Sequence, residues 1–374
     1  MDKSILHGYI DFLSDYDSVF PFPSYRSGVS KWIDEFEGIL HESVPSEEIE
    51  GFCVSDDIQT IFTLLLSNVS TGGWGTIPVE ERQAKIKALL ETLQVGQRTT
   101  EWYAQSKTVL TASQFSNILG TPRGVSVLAL QKATPDPENG SRSDQACPTI
   151  SMSAFDWGIR FEPVVKQILT TLWTCEIAEV GRFIHPVNTR LAASPDGIIM
   201  NAADPNRVGR LLEIKCPVRR EINGKIPFDY WCQMQIQMEV TGIDECDYVE
   251  MKIASSYKDS KYEPPTEEPG TLYNGLVWLY QCFETCELKY AYTALEKKDL
   301  DLLGWHCLEE IPWHLDKMFT QTMVRDSKWY EGTAAKQDEF WLRVDDAKNG
   351  LIEPPKRRPR APSVNGYQIM DDVT

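Results

Sequence analysis

The sequence predicts an α/β (α+β) fold with a mixed central sheet flanked by helices, and three observations carry that prediction. Phe155, Ile159, Val165, Ile168, Leu169 and Leu172 recur at helical spacing and form one apolar face over 153–173. A meander of short strand-like segments separated by turn formers follows. A second helical run at 228–241 then leads into a strand at 248–253, and this succession is the order of an α/β layer fold.

Taken in chain order, Ile86, Leu89, Leu90 and Leu93 repeat at three and four residues from Val79 until Gly96, which predicts a first helix. A short helix starting at Thr100 carries Trp102. Thr111 to Phe115 supplies an N-cap followed by apolar Phe115, Ile118 and Leu119, stopped by Gly120-Thr121-Pro122. Residues 133–149, rich in Pro, Ser, Asp and Gly, read as a surface loop. Strands are expected at 177–184, 189–193, 197–200 and 210–215. Asp204-Pro205-Asn206 puts a turn between the last two and pairs them as a hairpin. The helix at 228–241 ends at Gly242. Beyond 270, segments 275–280 and 288–292 read as a second strand pair, and charged helices are expected over 295–348. The domain expectation is an accessory N-terminal region at 1–80, a core at 81–265, a C-terminal extension at 266–350 packing on the core, and a flexible basic tail at 351–374. That tail includes Pro354-Pro355-Lys356-Arg357-Arg358-Pro359-Arg360, a composition that builds no core.

With 42% hydrophobic and 25% charged residues, the 374-residue chain has a globular composition. The longest apolar stretch, Ile61 to Leu66, is far too short to span a bilayer, and no basic segment followed by an apolar run opens the sequence. The expected location is therefore the cytoplasm or nucleus, with no membrane partner. Nine cysteines at irregular spacing predict reduced thiols. Cys282, Cys286, His306 and Cys307 lack the regular spacing of a zinc site. A net charge of -18 argues against a nucleic-acid partner until its distribution is read. Residues 1–94 carry a net of -10 and residues 226–374 a net of -11, while 95–225 carry +3. The segment holding the chemistry is the one that is not acidic.

Asp196 stands in Ser194-Pro195-Asp196-Gly197 at the start of one strand, and Glu213-Ile214-Lys215 lies on the next. Alternate residues of a strand share a face, so Glu213 and Lys215 project together, and hairpin pairing brings Asp196 beside them. Two carboxylates gathered this way repel unless a cation neutralises them. Oxygen donors alone suit Mg²⁺ or Mn²⁺, which would activate water and offset charge on a phosphate. Leu212 and Ile214 make the other face of the strand apolar, so the charged face calls for a chemical reason.

These residues form part of an ordered series: Gln97-Arg98-Thr99 with Trp102, Leu110-Thr111-Ala112-Ser113, Gly158 with Glu162, Ser194-Pro195-Asp196-Gly197, Leu212-Glu213-Ile214-Lys215-Cys216-Pro217, and Tyr230 with Gln233 and Gln235. Over residues 97–253 the series resembles the lambda exonuclease or YqaJ-like viral recombinase family of PD-(D/E)xK nucleases, with members from large DNA viruses. The resemblance implies a restriction-endonuclease-like core. It implies that Asp196, Glu213 and the main-chain carbonyl of Ile214 hold the metal, with Glu162 reaching in from its helix. Lys215 becomes the catalytic lysine and Gln233 braces the water or phosphate. Ser113, Ser194, Tyr230 and Gln235 fall on the DNA side. An arginine usually stands seven residues before the serine of Thr-Ala-Ser; here that place is Ser106, with Lys107 beside it as a substitute point charge. Arg207 and Arg210, in a longer loop than compact members have, are further candidates for backbone phosphates. Iron-sulfur ligation is set aside because Cys216 and Cys232 sit inside the nuclease motifs.

The implied activity is Mg²⁺-dependent digestion of double-stranded DNA from its ends, 5′ to 3′, for recombination, repair or viral genome processing in an infected cell. The alternatives are an endonuclease or a flap or single-strand nuclease of the same superfamily, and an inactive DNA-binding recombination scaffold. Implied partners are DNA ends, a single-strand annealing protein and further copies of the chain, since the family includes trimers.

Overall fold

The computed structural model describes Trp74 and residues 77–134, 152–257, 262 and 273–352. The accessory region at 1–80 apart from Trp74 and 77–80, most of the loop expected at 133–149, and the tail beyond 352 lie outside the described residues.

Helix α1 (Val79–Leu90) and the short α2 (Thr100–Gln105) precede strand β1 (Leu110–Thr111). A 3₁₀ turn at Ala112–Gln114 runs into α3 (Phe115–Ile118), and α4 (Pro122–Ala133) opens on a Thr121 cap with proline at its first position. Helix α5 (Ala154–Leu172) starts at a capping box between Ser153 and Asp156. It buries Trp157, Phe161, Val164, Val165, Ile168 and Leu169 and carries Pro163 within its span. The meander then provides β2 (Cys175–Ala178), β3 (Phe183–Ile184), β4 (Leu191–Ala193), β5 (Gly197–Ala202) and β6 (Leu211–Lys215). Helix α6 (Phe228–Thr241) ends on Gly242 at φ 68° and leads to β7 (Glu245–Ser255). Last come β8 (Asn274–Gln281), β9 (Leu288–Ala291), α7 (Ala294–Leu302), β10 (His306–Val324), α8 (Ser327–Gly332) and α9 (Ala334–Lys348).

The main sheet runs β2-β5-β6-β7-β10-β8-β9 and is mixed: β6 and β7 are parallel, joined through α6, and the remaining neighbours are antiparallel. One core lies between one face and α6, with Leu211, Ile236, Met238, Cys246 and Tyr248 at its centre. The other lies between the opposite face and α5, with Phe161, Ile168, Leu212, Val249 and Met251. Alternate residues of β6 therefore serve opposite cores, and Glu213 and Lys215 share the α6 side with Leu211. Among the described residues no helix is long and apolar enough to cross a membrane.

Three expectations are corrected. The single strand foreseen at 177–184 is two: Ile177 and Ala178 pair with β5, whereas Phe183 and Ile184 pair with β4 in a separate sheet ordered β1-β4-β3. The break falls at Gly181, where a Cβ would stand 2.6 Å from the Val95 carbonyl oxygen, so this passage admits only glycine. The region expected to be all helix over 295–348 contains the 19-residue β10, which joins β7 to β8. Ile311, Trp313 and Leu315 alternate with more open neighbours, but the register shifts at Asp316 and restarts the buried set at Met318 and Phe319, hiding the period of two. Cys286 is disulfide-bonded, while the other six described cysteines are free thiols; spacing alone gives no pairing.

Candidate active site

The hairpin β5–β6 aligns Gly197 with Leu212. Its start is fixed twice: the Asp196 N–H donates to the Leu212 carbonyl at 3.0 Å, and Asp196 Oδ2 accepts from the Ile214 N–H at 2.7 Å. Gly197 must follow, because a Cβ there would meet Ile177 Cγ2 at 2.5 Å and the Ala178 carbonyl oxygen at 3.2 Å. The Asp-Gly pair thus lets β2 pass while the carboxylate is pinned to the edge of β6.

Glu213 is wholly buried. Lys215 Nζ donates to its Oε1, and Gln237 Nε2 donates to its Oε2 at 2.6 Å. Lys215 also donates to Gln233 Oε1 at 3.3 Å and stands 4.6 Å from the centre of the Tyr230 ring. Gln233 and Gln237 are one helical turn apart, so α6 presents both amides to the charged face of β6. Burial, then Glu213 and Glu162, pushes the Asp196 carboxyl well above the usual range. Burial alone would lower the Lys215 ammonium, but Glu213 and Asp196 outweigh it and raise its pKa.

These groups line a cleft of about 610 Å³. Of the residues singled out in the sequence, Asp196, Glu213, Ile214, Lys215, Gln233, Glu162, Ser113, Ser194 and Tyr230 line it. Glu162 comes from α5, with Oε2 on Arg98 at 3.1 Å and Oε1 on Lys166 at 2.9 Å. Ser113 Oγ lies 3.3 Å from Thr111 Oγ1, and Ser194 Oγ accepts from the Trp102 indole at 3.4 Å.

Four residues fall elsewhere. Gln235 is buried, donating to the Val324 carbonyl at 2.9 Å and accepting from the Asp326 N–H at 2.7 Å, so its amide ties α6 to the end of β10 rather than facing the cleft. Lys107 donates to the carbonyls of Gln131 and Thr134 at the end of α4. Arg207 and Arg210, foreseen as phosphate contacts, are buried on Asp247 and Glu245: Arg207 Nη1 to Asp247 Oδ2 at 2.6 Å, Arg210 Nε to Glu245 Oε2 at 2.8 Å, and Arg210 Nη1 to Asp247 Oδ1 at 3.2 Å. Burial alone would raise the Asp247 carboxyl, but the two arginines outweigh it and hold it low. A sequence shows two arginines in a loop; it does not show the acids on β7 that take them inside.

One residue was not foreseen. Arg182, 1% exposed, lines the cleft, stacks 4.1 Å from the Trp102 ring and donates to the Trp102 carbonyl at 2.6 Å. Its buried Nε has no partner, and among the described residues no carboxylate pairs with it. Burial pulls it down to about 10. Behind it, buried Lys132 is a second basic side chain without an acid, bonded to the carbonyls of Ser106 and Val109 and to Gln114 Oε1. The cleft is therefore acidic on the β5–β6 wall and cationic toward Arg182.

The donors on the acidic wall are all oxygens. Among the described residues no three His, Cys, Asp or Glu are already gathered as a metal cluster. Asp196, Glu213 and a main-chain carbonyl are hard donors suited to a divalent ion that keeps several waters, and the Asp196 carboxyl is raised first by burial and then by the neighbouring negative charge that such an ion would balance.

Residues 101–244 match the sequence model of the YqaJ-like viral recombinase domain. A protein of Acanthamoeba polyphaga mimivirus is 29% identical over an alignment of 185 residues that covers 46% of this chain and 32% of the mimivirus protein, so the match spans about a third of that relative's length. The crystal structure of an alkaline exonuclease, LHK-Exo, from Laribacter hongkongensis aligns over 68% of this chain and 96% of its own, at 18% identity and a TM-score of 0.40. Its complex with dAMP aligns over the same shares at 19% identity and a TM-score of 0.39. The matched residues contain Ser113, Glu162, Asp196, Glu213, Lys215 and Gln233, and over the stretch 101–244 this chain is similar to the YqaJ-like viral recombinase domain.

Proposed function

We propose that this protein is a metal-dependent DNA nuclease that digests duplex DNA from its ends, 5′ to 3′, with Mg²⁺ or Mn²⁺ held by Asp196, Glu213 and the Ile214 carbonyl. One observation carries the reading: a buried carboxylate, a second carboxylate and an ammonium converge on one wall of a cleft whose lining also holds a buried arginine without an acidic partner among the described residues. That polarity fits a phosphodiester, its reacting phosphorus at the acids and a neighbouring phosphate at the guanidinium. A bound ion would supply Lewis acidity and a more acidic water.

The chain's own residues supply the rest. Lys215, held by Glu213 and Gln233 and standing beside the Tyr230 ring, is the basic group that meets the attacked phosphate or its water. Gln237 fixes the rotamer of Glu213. The hydroxyls of Ser113 and Ser194 are placed to donate to DNA phosphate oxygens along the cleft. The test is an end-labelled duplex incubated with Mg²⁺. Wild type should release nucleotides and Asp196→Ala should not; a folded wild type that releases none, or a variant that releases as many, removes the proposal. A closed circle should stay intact, and nicking would instead favour an endonuclease.

A further inference from the structure

Arg98 has φ of 64°, the left-handed region that residues other than glycine enter at a cost. Its neighbours impose this conformation. Val95 bridges to Arg182, the Gln97 amide donates to the carbonyls of Val180 at 3.1 Å and Pro195 at 3.2 Å, and Thr99 caps α2. The result directs the guanidinium onto Glu162, whose other oxygen is held by Lys166, itself shared with Glu179 at 3.2 Å. Both oxygens of Glu162 are thus engaged by cations.

The contact also has a definite place. A second cavity of about 350 Å³ shares with the main cleft only Gln97, Arg98, Glu162 and Asp196. The Arg98–Glu162 pair stands at that seam, and Asp196 is open to both sides. Pro163 follows Glu162 directly and brings no N–H to the Ile159 carbonyl, so α5 is more yielding where it carries this carboxylate.

An ion pair between partly exposed side chains adds little to stability, whereas the backbone strain at Arg98 subtracts from it. Fold stability therefore does not account for an arginine at this position. We propose that Arg98 is a positioning residue that holds Glu162 off the divalent-ion site at Asp196 and Glu213, so that the ion gains a third carboxylate only when the Arg98 pair opens and the two cavities join. This rests on the metal-dependent reading above.

Calorimetric titration of the full chain with Mn²⁺ alone, without DNA, tests it, together with melting curves in chelator. Arg98→Gly and Arg98→Ala should both bind Mn²⁺ more tightly, by about fivefold, since each removes the competitor. Only Arg98→Gly should also melt higher than wild type, because glycine accepts the backbone angle and alanine does not. In a Glu162→Gln background the gain in affinity should vanish. If Arg98→Gly binds within about twofold of wild type while Asp196→Ala loses binding, the latch is wrong and the ion site stands. If wild type binds no Mn²⁺, or Asp196→Ala binds as well as wild type, both the latch and the metal site fall.

Discussion

Glu213 has no contact with solvent, yet each of its oxygens is engaged, one by Lys215 and the other by Gln237. Removing the amide with Gln237→Leu leaves one buried carboxylate oxygen without a donor, at a cost of about 1–3 kcal/mol in urea unfolding. The same variant should lose nuclease activity, because the Glu213 carboxylate then lacks the contact that fixes its rotamer. Unchanged stability would mean that another group reaches Oε2. At the cationic end, Arg182→Gln should lower by about one the slope of log affinity against log salt for DNA, the signature of one lost phosphate contact. A slope equal to wild type would remove Arg182 from the interface. The acid pair and the lysine were legible because strand alternation fixes which neighbours share a face. Gln237 was half legible, one turn from Gln233 on the polar face of α6. Arg182 was not legible, since its place depends on a bridge to the distant Val95 and on the ring of Trp102.

At the scale of elements, Lys132 fastens α4 to the turn between α2 and β1, with contacts of 2.5 Å to the Ser106 carbonyl, 2.6 Å to the Val109 carbonyl and 2.6 Å to Gln114. Burial first, then Arg182 and Lys107, pulls its ammonium from the usual lysine range to about 7. Between that value and the unfolded one, the unfolded chain holds a proton that the folded chain has shed, so stability rises with pH across this window. The slope contributed by one such group is at most about 1.4 kcal/mol per pH unit, and the contribution is lost as pH falls through 7. Lys132→Met should flatten the melting temperature between pH 7 and 10 relative to wild type; equal slopes would show that Lys132 stays charged when folded. Helices α5 and α6 were readable from periodicity and caps, as was the β5–β6 hairpin from its turn. Strand β10 was not, because a register shift at Asp316 breaks the alternation of its buried residues.

For the molecule as a whole, the segment after 265 supplies β8, β9 and β10 to the same sheet that carries the site. From Trp313 to Val324, β10 pairs with β7, and its end is held to α6 through Gln235. A chain cut after residue 265 would leave β7 as an unpaired edge and strip Val277, Leu279, Ile311 and Leu315 from the core around α5. Such a fragment should aggregate or lack a cooperative melting transition, which light scattering and calorimetry would reveal. A soluble, cooperatively melting fragment would make the later strands an independent unit.

The lateness of β10 in the polymer also bears on biosynthesis. While the ribosome is still making residues 306–324, β7 is already outside the exit tunnel with one edge of main-chain N–H and C=O groups unpaired, and the face that carries Val249, Met251 and Ile253 still lacks the core residues that β10 brings. Nascent chains on a crowded polysome can zip together through such an edge. The protein's yield in a cell should therefore depend on chaperone capacity during the last third of translation more than on the stability of the finished fold.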